Sequence, residues 1–196
     1  MLEDIIKERK KKLDNLVKQE INPYPSKIKR DFLIDEIIKN FNKFYKSGKK
    51  INIAGRIIGL RDQGNLIFAD IKDEGGKIQI ILKKNILVNF KLLKQSLDVG
   101  DFMAVNGTLI KTKAGEKSLE ARTADIIVKS LRPLPSSWYG LKDVEERFRK
   151  KYLDIIINNQ ARKNIIFRSE IIRTIREELQ KENFIEVETP IFQYLA

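Results

Sequence analysis

The sequence contains neither cysteine nor histidine. Disulfides, Cys/His zinc sites, cysteine nucleophiles and histidine-based triads are therefore excluded by inventory. Any chemistry must come from carboxylates, lysines, arginines or hydroxyls. Long apolar runs are also lacking: no stretch approaches the roughly 18 uncharged apolar residues of a membrane span. Residues Met1 to Lys12 lack the apolar block of a signal peptide, so no membrane partner is expected and a cytoplasmic setting is. Of the five prolines, four fall in two pairs, Pro23/Pro25 and Pro133/Pro135, which punctuate the chain. Acidic residues are outnumbered, 27 against 39 lysines and arginines, for a formal charge of +12. That excess favours polyanionic partners through counterion release, although a lysine-rich codon bias would produce the same excess without binding anything.

What is present is a chain of 196 residues, 42% of them hydrophobic, enough for one large or two small domains. Leu2 to Glu20 sets Ile5, Ile6, Leu13, Leu16 and Val17 among charges at helical spacing. The segment Asn22-Pro23-Tyr24-Pro25 breaks that helix. A second helix is expected over Leu33 to Tyr45, ended by Ser47-Gly48. From Ile51 the pattern turns to short alternating runs, which predict five strands. They cover Ile51 to Gly59, Asn65 to Lys72, Lys77 to Leu82, Asp101 to Thr112 and Ser118 to Lys129. Asp73-Glu74-Gly75-Gly76 is a hairpin turn, and Ile86 to Ser96 is a helix between the third and fourth strands. Three strands, a helix and two strands is the order of a five-stranded OB barrel, a fold whose second and third strands commonly face oligonucleotides.

Alternation of side chains puts Ile67, Ala69 and Ile71 on one face of the second strand, and Ile78, Ile80 and Leu82 on one face of the third. Phe68 and Gln79 then stand together on the outside. A ring beside an amide suits an unpaired base, which stacks on the one and hydrogen-bonds the other. An incidental surface phenylalanine, or one covered by the amino-terminal segment, fits the same parity.

Beyond the strands, Leu131-Arg132-Pro133-Leu134-Pro135-Ser136-Ser137 reads as a linker. Asp143 to Ile157 is amphipathic. A long helix is expected from about Gln160 to Glu182, with Ile165, Ile172, Ile175 and Leu179 as its buried edge. Asn183 provides a left-handed stop, and Phe184 to Glu188 a short strand ended by Thr189-Pro190. The neighbouring acids Glu177 and Glu178 point in different directions on that helix and read as solvated charges. There is no phosphate-binding loop of the G-x-x-x-x-G-K-S/T type.

Three stretches together resemble class II lysyl-tRNA synthetases. The first holds Ala54-Gly55-Arg56, Phe68, Gly75-Gly76-Lys77-Ile78-Gln79 and Lys111-Thr112-Lys113-Ala114-Gly115-Glu116. The second holds Leu131-Arg132-Pro133-Leu134-Pro135, Gly140-Leu141, Asp143, Glu145, Arg147-Phe148-Arg149 and Tyr152-Leu153-Asp154. The third holds Arg168-Ser169, Ile175-Arg176 and Phe184-Ile185-Glu186-Val187-Glu188-Thr189-Pro190, and is similar to class II motif 1. The middle stretch discriminates, because the related aspartyl and asparaginyl enzymes differ there. Asn183 departs from the glycine usual in relatives, and the position of Asn65 often carries a basic or small residue in them.

The resemblance implies an α+β, mainly β chain. Residues 1–48 would be a helical extension, 49–130 an anticodon-binding OB barrel and 131–159 a linker. Residues 160–196 would open a class II catalytic domain with the motif 1 helix and strand. Phe68 would stack on the central anticodon uridine of tRNA(Lys), Gln79 and Glu116 would hydrogen-bond uridine edges, and Arg61 would contact the anticodon loop. Judged without the family, Glu116 is a solvated turn carboxylate and Arg61 a surface charge. Motif 1, with Ile172, Ile175, Leu179 and Pro190, would form a homodimer interface, although a helix packing within one subunit shares its periodicity. The full enzyme would use ATP and magnesium to activate lysine. Motifs 2 and 3 do not occur before Ala196, so this chain is expected to hold no catalytic residue, metal or cofactor of its own and to be inactive by itself. A free-standing, non-catalytic tRNA- or RNA-binding OB module is the alternative, and a dimerisation fragment with incidental charge a third.

Overall fold

The computed structural model describes residues 2–135 and 143–190. Ser136, Ser137, Gly140, Leu141 and Ala196, which figure in the sequence reading, lie outside them. The chain divides into two compact units, Met1–Leu134 and Pro135–Ala196.

In the first unit, α1 (Leu2–Lys18), α2 (Ile34–Lys39) and α3 (Phe41–Ser47) precede the sheet. The strands are β1 (Ile51–Asp62), β2 (Leu66–Lys72), β3 (Lys77–Lys83), β4 (Phe102–Lys111) and β5 (Lys117–Val128), with α4 (Phe90–Ser96) between β3 and β4. Pairing runs β1-β2-β3-β5-β4, and β4 returns to β1, so the sheet forms a closed barrel. All ladders are antiparallel except β3–β5, which is parallel and joins only Gln79, Ile80 and Ile81 to Ser118, Leu119 and Glu120. The alternating apolar residues meet inside: Ile53, Ile57, Ile67, Ala69, Ile71, Ile78, Ile80, Leu82, Met103, Val105, Leu109 and Leu119 are all buried. Ile34, Ile37 and Phe41 from the amino-terminal helices and Phe90 and Leu93 from α4 complete the same core. The β2–β3 hairpin is set by Asp73, whose Oδ1 accepts from the backbone of Gly75 and Gly76. Its Oδ2 accepts from the Ile34 N–H at 2.8 Å, which ties the start of α2 to this turn.

The sheet carries a close approach at Gly107. A Cβ built there would lie 2.1 Å from the Glu120 carbonyl oxygen, at the point where the β4–β5 register shifts. A buried ionic cluster ties the end of β5 to the segment between α4 and β4. The Lys129 ammonium, fully enclosed, donates to the Ser96 carbonyl at 2.7 Å, to Asp101 at 2.7 Å and to Asp98. Asp101 also accepts from the backbone N–H of Asp98 and Ser130. Burial pushes the Asp101 carboxyl up, against the hydrogen bonds from Lys129 and the two backbone groups. At Asp98 burial also pushes upward, but the hydrogen bonds from Lys12 and Lys129 outweigh it and hold this carboxyl below the usual carboxylate range.

Several expectations need correction. The stripe of α1 is not continuous: Leu16 is buried, but Ile5 and Val17 are exposed. Its other buried residue is Arg9, whose guanidinium donates to the carbonyls of Ser130, Arg132 and Val99. A cation can occupy this face because three peptide oxygens accept from its two terminal nitrogens, while its buried Nε–H has no partner among the described residues. The expected helix Leu33 to Tyr45 is two helices divided at Asn40, which ends α2 and precedes α3.

The second unit holds α5 (Val144–Arg149), α6 (Lys151–Ile157) and α7 (Asn159–Lys181). Asn158 caps α7, its Oδ1 accepting from the N–H groups of Gln160 and Ala161. At the far end Asn183 is left-handed, with φ 63°. Phe184 N–H reaches the Leu179 carbonyl and Asn183 N–H the Gln180 carbonyl, the paired bonds of a Schellman stop. Here the expected architecture fails. Phe184 to Glu188 forms no strand, and Phe184, Ile185 and Val187 are 64%, 86% and 72% exposed. A strand needs a neighbour to take its backbone hydrogen bonds, and the described residues provide none. The edge predicted to be buried on α7 is likewise exposed at Ile165, Ile172, Ile175 and Leu179. Among the described residues no helix is long and apolar enough to cross a membrane.

Gly107→Ala should destabilise the protein by about 1–3 kcal/mol or more through overpacking against backbone, read from urea unfolding. The depressed Asp98 carboxyl contributes stability that is present above its unfolded pKa, about 3.9, and is lost as pH falls through its lower folded value. The stability difference between the native chain and Asp98→Asn should therefore be widest near neutral pH and close below about pH 4, measured by denaturant titration across pH.

Candidate nucleic-acid interface

The register of the barrel decides which side chains share its outer wall. Arg61 on β1 pairs with Phe68 on β2, Phe68 pairs with Ile81 on β3, and Ile81 pairs with Glu120 on β5. These four form one transverse row. In the adjacent row Asp70 pairs with Gln79 and Gln79 with Ser118. Phe68 is partly buried and Arg61 exposed. The guanidinium carbon of Arg61 lies 5.9 Å from the Phe68 ring centroid, within cation–π range. Lys83 and Glu120 form an ion pair at the edge of the same wall.

Gln79 faces outward by parity yet is only 4% exposed. Its Nε2 donates to the Glu116 carboxylate at 2.9 Å, and its Oε1 accepts from the Ser118 hydroxyl at 2.9 Å. Glu116 reaches this position from the β4–β5 turn. Gly115 takes φ +81° there, a left-handed backbone that glycine adopts without strain. The turn is closed by Thr112, whose carbonyl accepts from Gly115 N–H and whose hydroxyl accepts from Glu116 N–H. The Thr112 N–H donates in turn to the Glu116 carbonyl. Glu116 is exposed, so its carboxylate is open to solvent on one side and joined to Gln79 on the other.

The arrangement offers a partly covered ring, a cation beside it and, on the next row, an amide donor adjoining a carboxylate acceptor. The structure brings Arg61 to Phe68 and Gln79 to Glu116. The two pairs sit on the same outer wall, in rows one step apart along β3. Sequence reasoning missed Ser118, and also Lys83 and Glu120. For Ser118 a signal existed, since it lies two residues after Glu116 and shares its strand parity. Its partner became legible only with the β3–β5 pairing.

In the second unit, Ile172, Ile175 and Leu179 are 40%, 54% and 47% exposed, and Pro190 is exposed beyond the end of α7. Glu177 and Glu178 make surface ion pairs with Arg173 and Lys181, in keeping with solvated charges rather than a reacting pair. The described residues contain no group of three or more acidic, histidine or cysteine residues placed to hold a metal ion.

Comparison with known proteins agrees with this geometry. Residues 51–127 match the family described as OB-fold nucleic acid binding domain. Residues 143–196 match the family described as tRNA synthetases class II (D, K and N). Among curated relatives, the lysine–tRNA ligase of Carboxydothermus hydrogenoformans is 42% identical over all of this chain and 40% of its own length. Lysine–tRNA ligase 2 of Methanosarcina mazei is 41% identical over 93% of this chain and 36% of its own. The lysine–tRNA ligase of Fervidobacterium nodosum is 39% identical over all of this chain and 39% of its own. The chain thus spans about two fifths of the length of the relatives it matches.

The fold and the wall together define an OB-type nucleic-acid-binding domain joined to a class II synthetase segment. The chain matches the class II lysyl-tRNA synthetase family, through an anticodon-binding OB domain and a class II motif region.

Glu116→Ala removes the protein acceptor of a mostly buried donor. It should lower the unfolding free energy by about 0.5–1.5 kcal/mol, measured by chemical denaturation.

Proposed function

We propose that this chain is the amino-terminal portion of a lysine–tRNA ligase and that its barrel wall reads the anticodon of tRNA(Lys). The observation that carries the reading is the contiguous Gln79–Glu116 pair on the same wall as Phe68. An ionised carboxylate only accepts hydrogen bonds and an amide nitrogen only donates. Side by side they complement the edge of uridine, which presents an N3–H donor beside a carbonyl acceptor. Cytidine presents an unprotonated N3 and an amino group on the edge where uridine has N3–H and O4, and is mismatched to the pair. Phe68 provides the stacking surface, and Arg61, exposed beside it, the cation for the loop phosphates.

In the full-length enzyme, activation of lysine with ATP and magnesium and its transfer to tRNA are part of the same proposal. No residue of this chain is assigned to hold the nucleotide or the metal. The second unit is proposed to meet a second copy of the chain through Ile172, Ile175, Leu179 and Pro190. The exposed apolar edge of α7 supports that reading: left bare it costs solvation, and a self-complementary face would cover it. A cytoplasmic setting, where tRNA is charged, belongs to the proposal as well.

Phe68→Ala should weaken binding of a lysine-tRNA anticodon stem-loop by about 1–3 kcal/mol, measured by titration calorimetry. Unchanged affinity would remove Phe68 from the site. Affinity of the native chain should fall steeply between about 50 and 200 mM salt, and a flat response would count against docking on phosphates.

A further inference from the structure

We propose that Ser118 is a positioning residue that fixes which end of the Gln79 amide faces the RNA, and that through it the wall discriminates uridine from cytidine. The inference rests on the anticodon reading above and adds to it a residue that never touches the base.

The Gln79 side chain carries a donor and an acceptor on one planar group, and a half-turn about its last torsion exchanges them. Glu116 settles the orientation while the site is empty of RNA, because a carboxylate accepts only and so draws Nε2 toward itself at 2.9 Å. Once the carboxylate is engaged by the N3–H of a uridine, that constraint weakens. Ser118 remains. Its hydroxyl, in a residue with no exposed surface, donates to Gln79 Oε1 at 2.9 Å. The other acceptor in reach is the Glu116 carbonyl at 3.4 Å, a longer and weaker contact. Both Ser118 and Gln79 are buried, so water does not readily replace the hydroxyl. An amide flipped with Oε1 outward would make the hydroxyl accept from Nε2 and leave its proton only the longer contact to the Glu116 carbonyl. An outward oxygen would accept from the amino group of cytidine. The serine therefore biases the site toward the base with a carbonyl at that position. Its place is set by the parallel β3–β5 pairing, which puts Ser118 directly beside Gln79.

The test uses the native chain, Ser118→Ala, Ser118→Cys and Ser118→Thr. The probes are an unmodified anticodon stem-loop with three uridines and three versions with one uridine changed to cytidine. The native chain should prefer uridine at the position read by Gln79. Ser118→Ala should reduce that uridine-to-cytidine affinity ratio about three- to tenfold, the worth of one side-chain hydrogen bond, with little change at the other two positions. Ser118→Thr, which keeps the hydroxyl, should restore it. Ser118→Cys, similar in size but a weak donor, should resemble alanine and serves if the alanine chain fails to fold. An unchanged ratio in Ser118→Ala or Ser118→Cys, or an equal loss for all four loops, would overturn the proposal, since packing alone would weaken them alike.

A second arm needs no RNA. Side-chain amide NMR of Gln79 should place its Nε2 protons next to Glu116 in the native chain. In Glu116→Ala, where the carboxylate no longer orients the amide, Ser118 should keep that single orientation, whereas in Glu116→Ala/Ser118→Ala the signals should average between two. Averaging in the single variant, or one native-like orientation in the double variant, would overturn the lock. A native chain that binds all four loops equally would defeat the anticodon reading, while this arm would still decide whether Ser118 orients the amide.

Discussion

The parallel contact of Gln79, Ile80 and Ile81 with Ser118, Leu119 and Glu120 joins the two edges of a sheet that otherwise consists of antiparallel neighbours. Its backbone bonds are few, yet the outer wall depends on them. They bring the end of the β4–β5 turn to the side of β3, so that Glu116 and Ser118 stand on either side of one amide. On the inner side the same three residues carry Ile80 and Leu119 into the core, both wholly buried. Burial of those side chains, worth roughly 1.5–3 kcal/mol each, stabilises the closure that the short ladder alone would hold weakly. The apolar interior and the polar wall are thus two faces of one register. A slip by a single residue would exchange them.

The far end of β5 is secured by charge. Lys129, Asp98 and Asp101 are drawn together where β5 leaves the sheet, and α1 adds Lys12 to Asp98 and Arg9 to three carbonyls. Removing such groups from water is costly. The cost is offset because every ammonium proton of Lys129 has an acceptor. Tyr24 extends the arrangement, its hydroxyl donating to the Lys129 carbonyl and holding the proline-bearing segment against the barrel. The amino-terminal helices belong to the first unit for this reason, along with Ile34, Ile37 and Phe41 in its core.

The second unit follows a different logic. Its helices have well-formed ends, with Asn158 at the start of α7 and Asn183 at its stop, but the apolar edge of α7 stays exposed within the described chain. Local signals are sufficient to begin and end a helix. They do not supply the surface against which it packs, and the same lack leaves Phe184 to Glu188 without a neighbouring strand among the described residues.

What the sequence determined by itself was whatever depends on neighbours close along the chain. Alternation of Ile67, Ala69 and Ile71 with Leu66, Phe68 and Asp70 identified a strand with an inside and an outside. Asp73 through Gly76 identified a turn, and Asn183 a left-handed stop, because each rests on the φ/ψ range of a few residues. Parity placed Phe68 and Gln79 on the outside, and family resemblance added Arg61 and Glu116. Tertiary structure alone decided that Gln79 is buried and doubly bonded, that Ser118 is its partner 39 positions away, and that Arg9 rather than an aliphatic side chain anchors α1. It also decided that Phe184 to Glu188 would not be a strand. Each of these turns on a contact between distant segments, and a pattern of alternation records which residues avoid water without recording what they meet when they do.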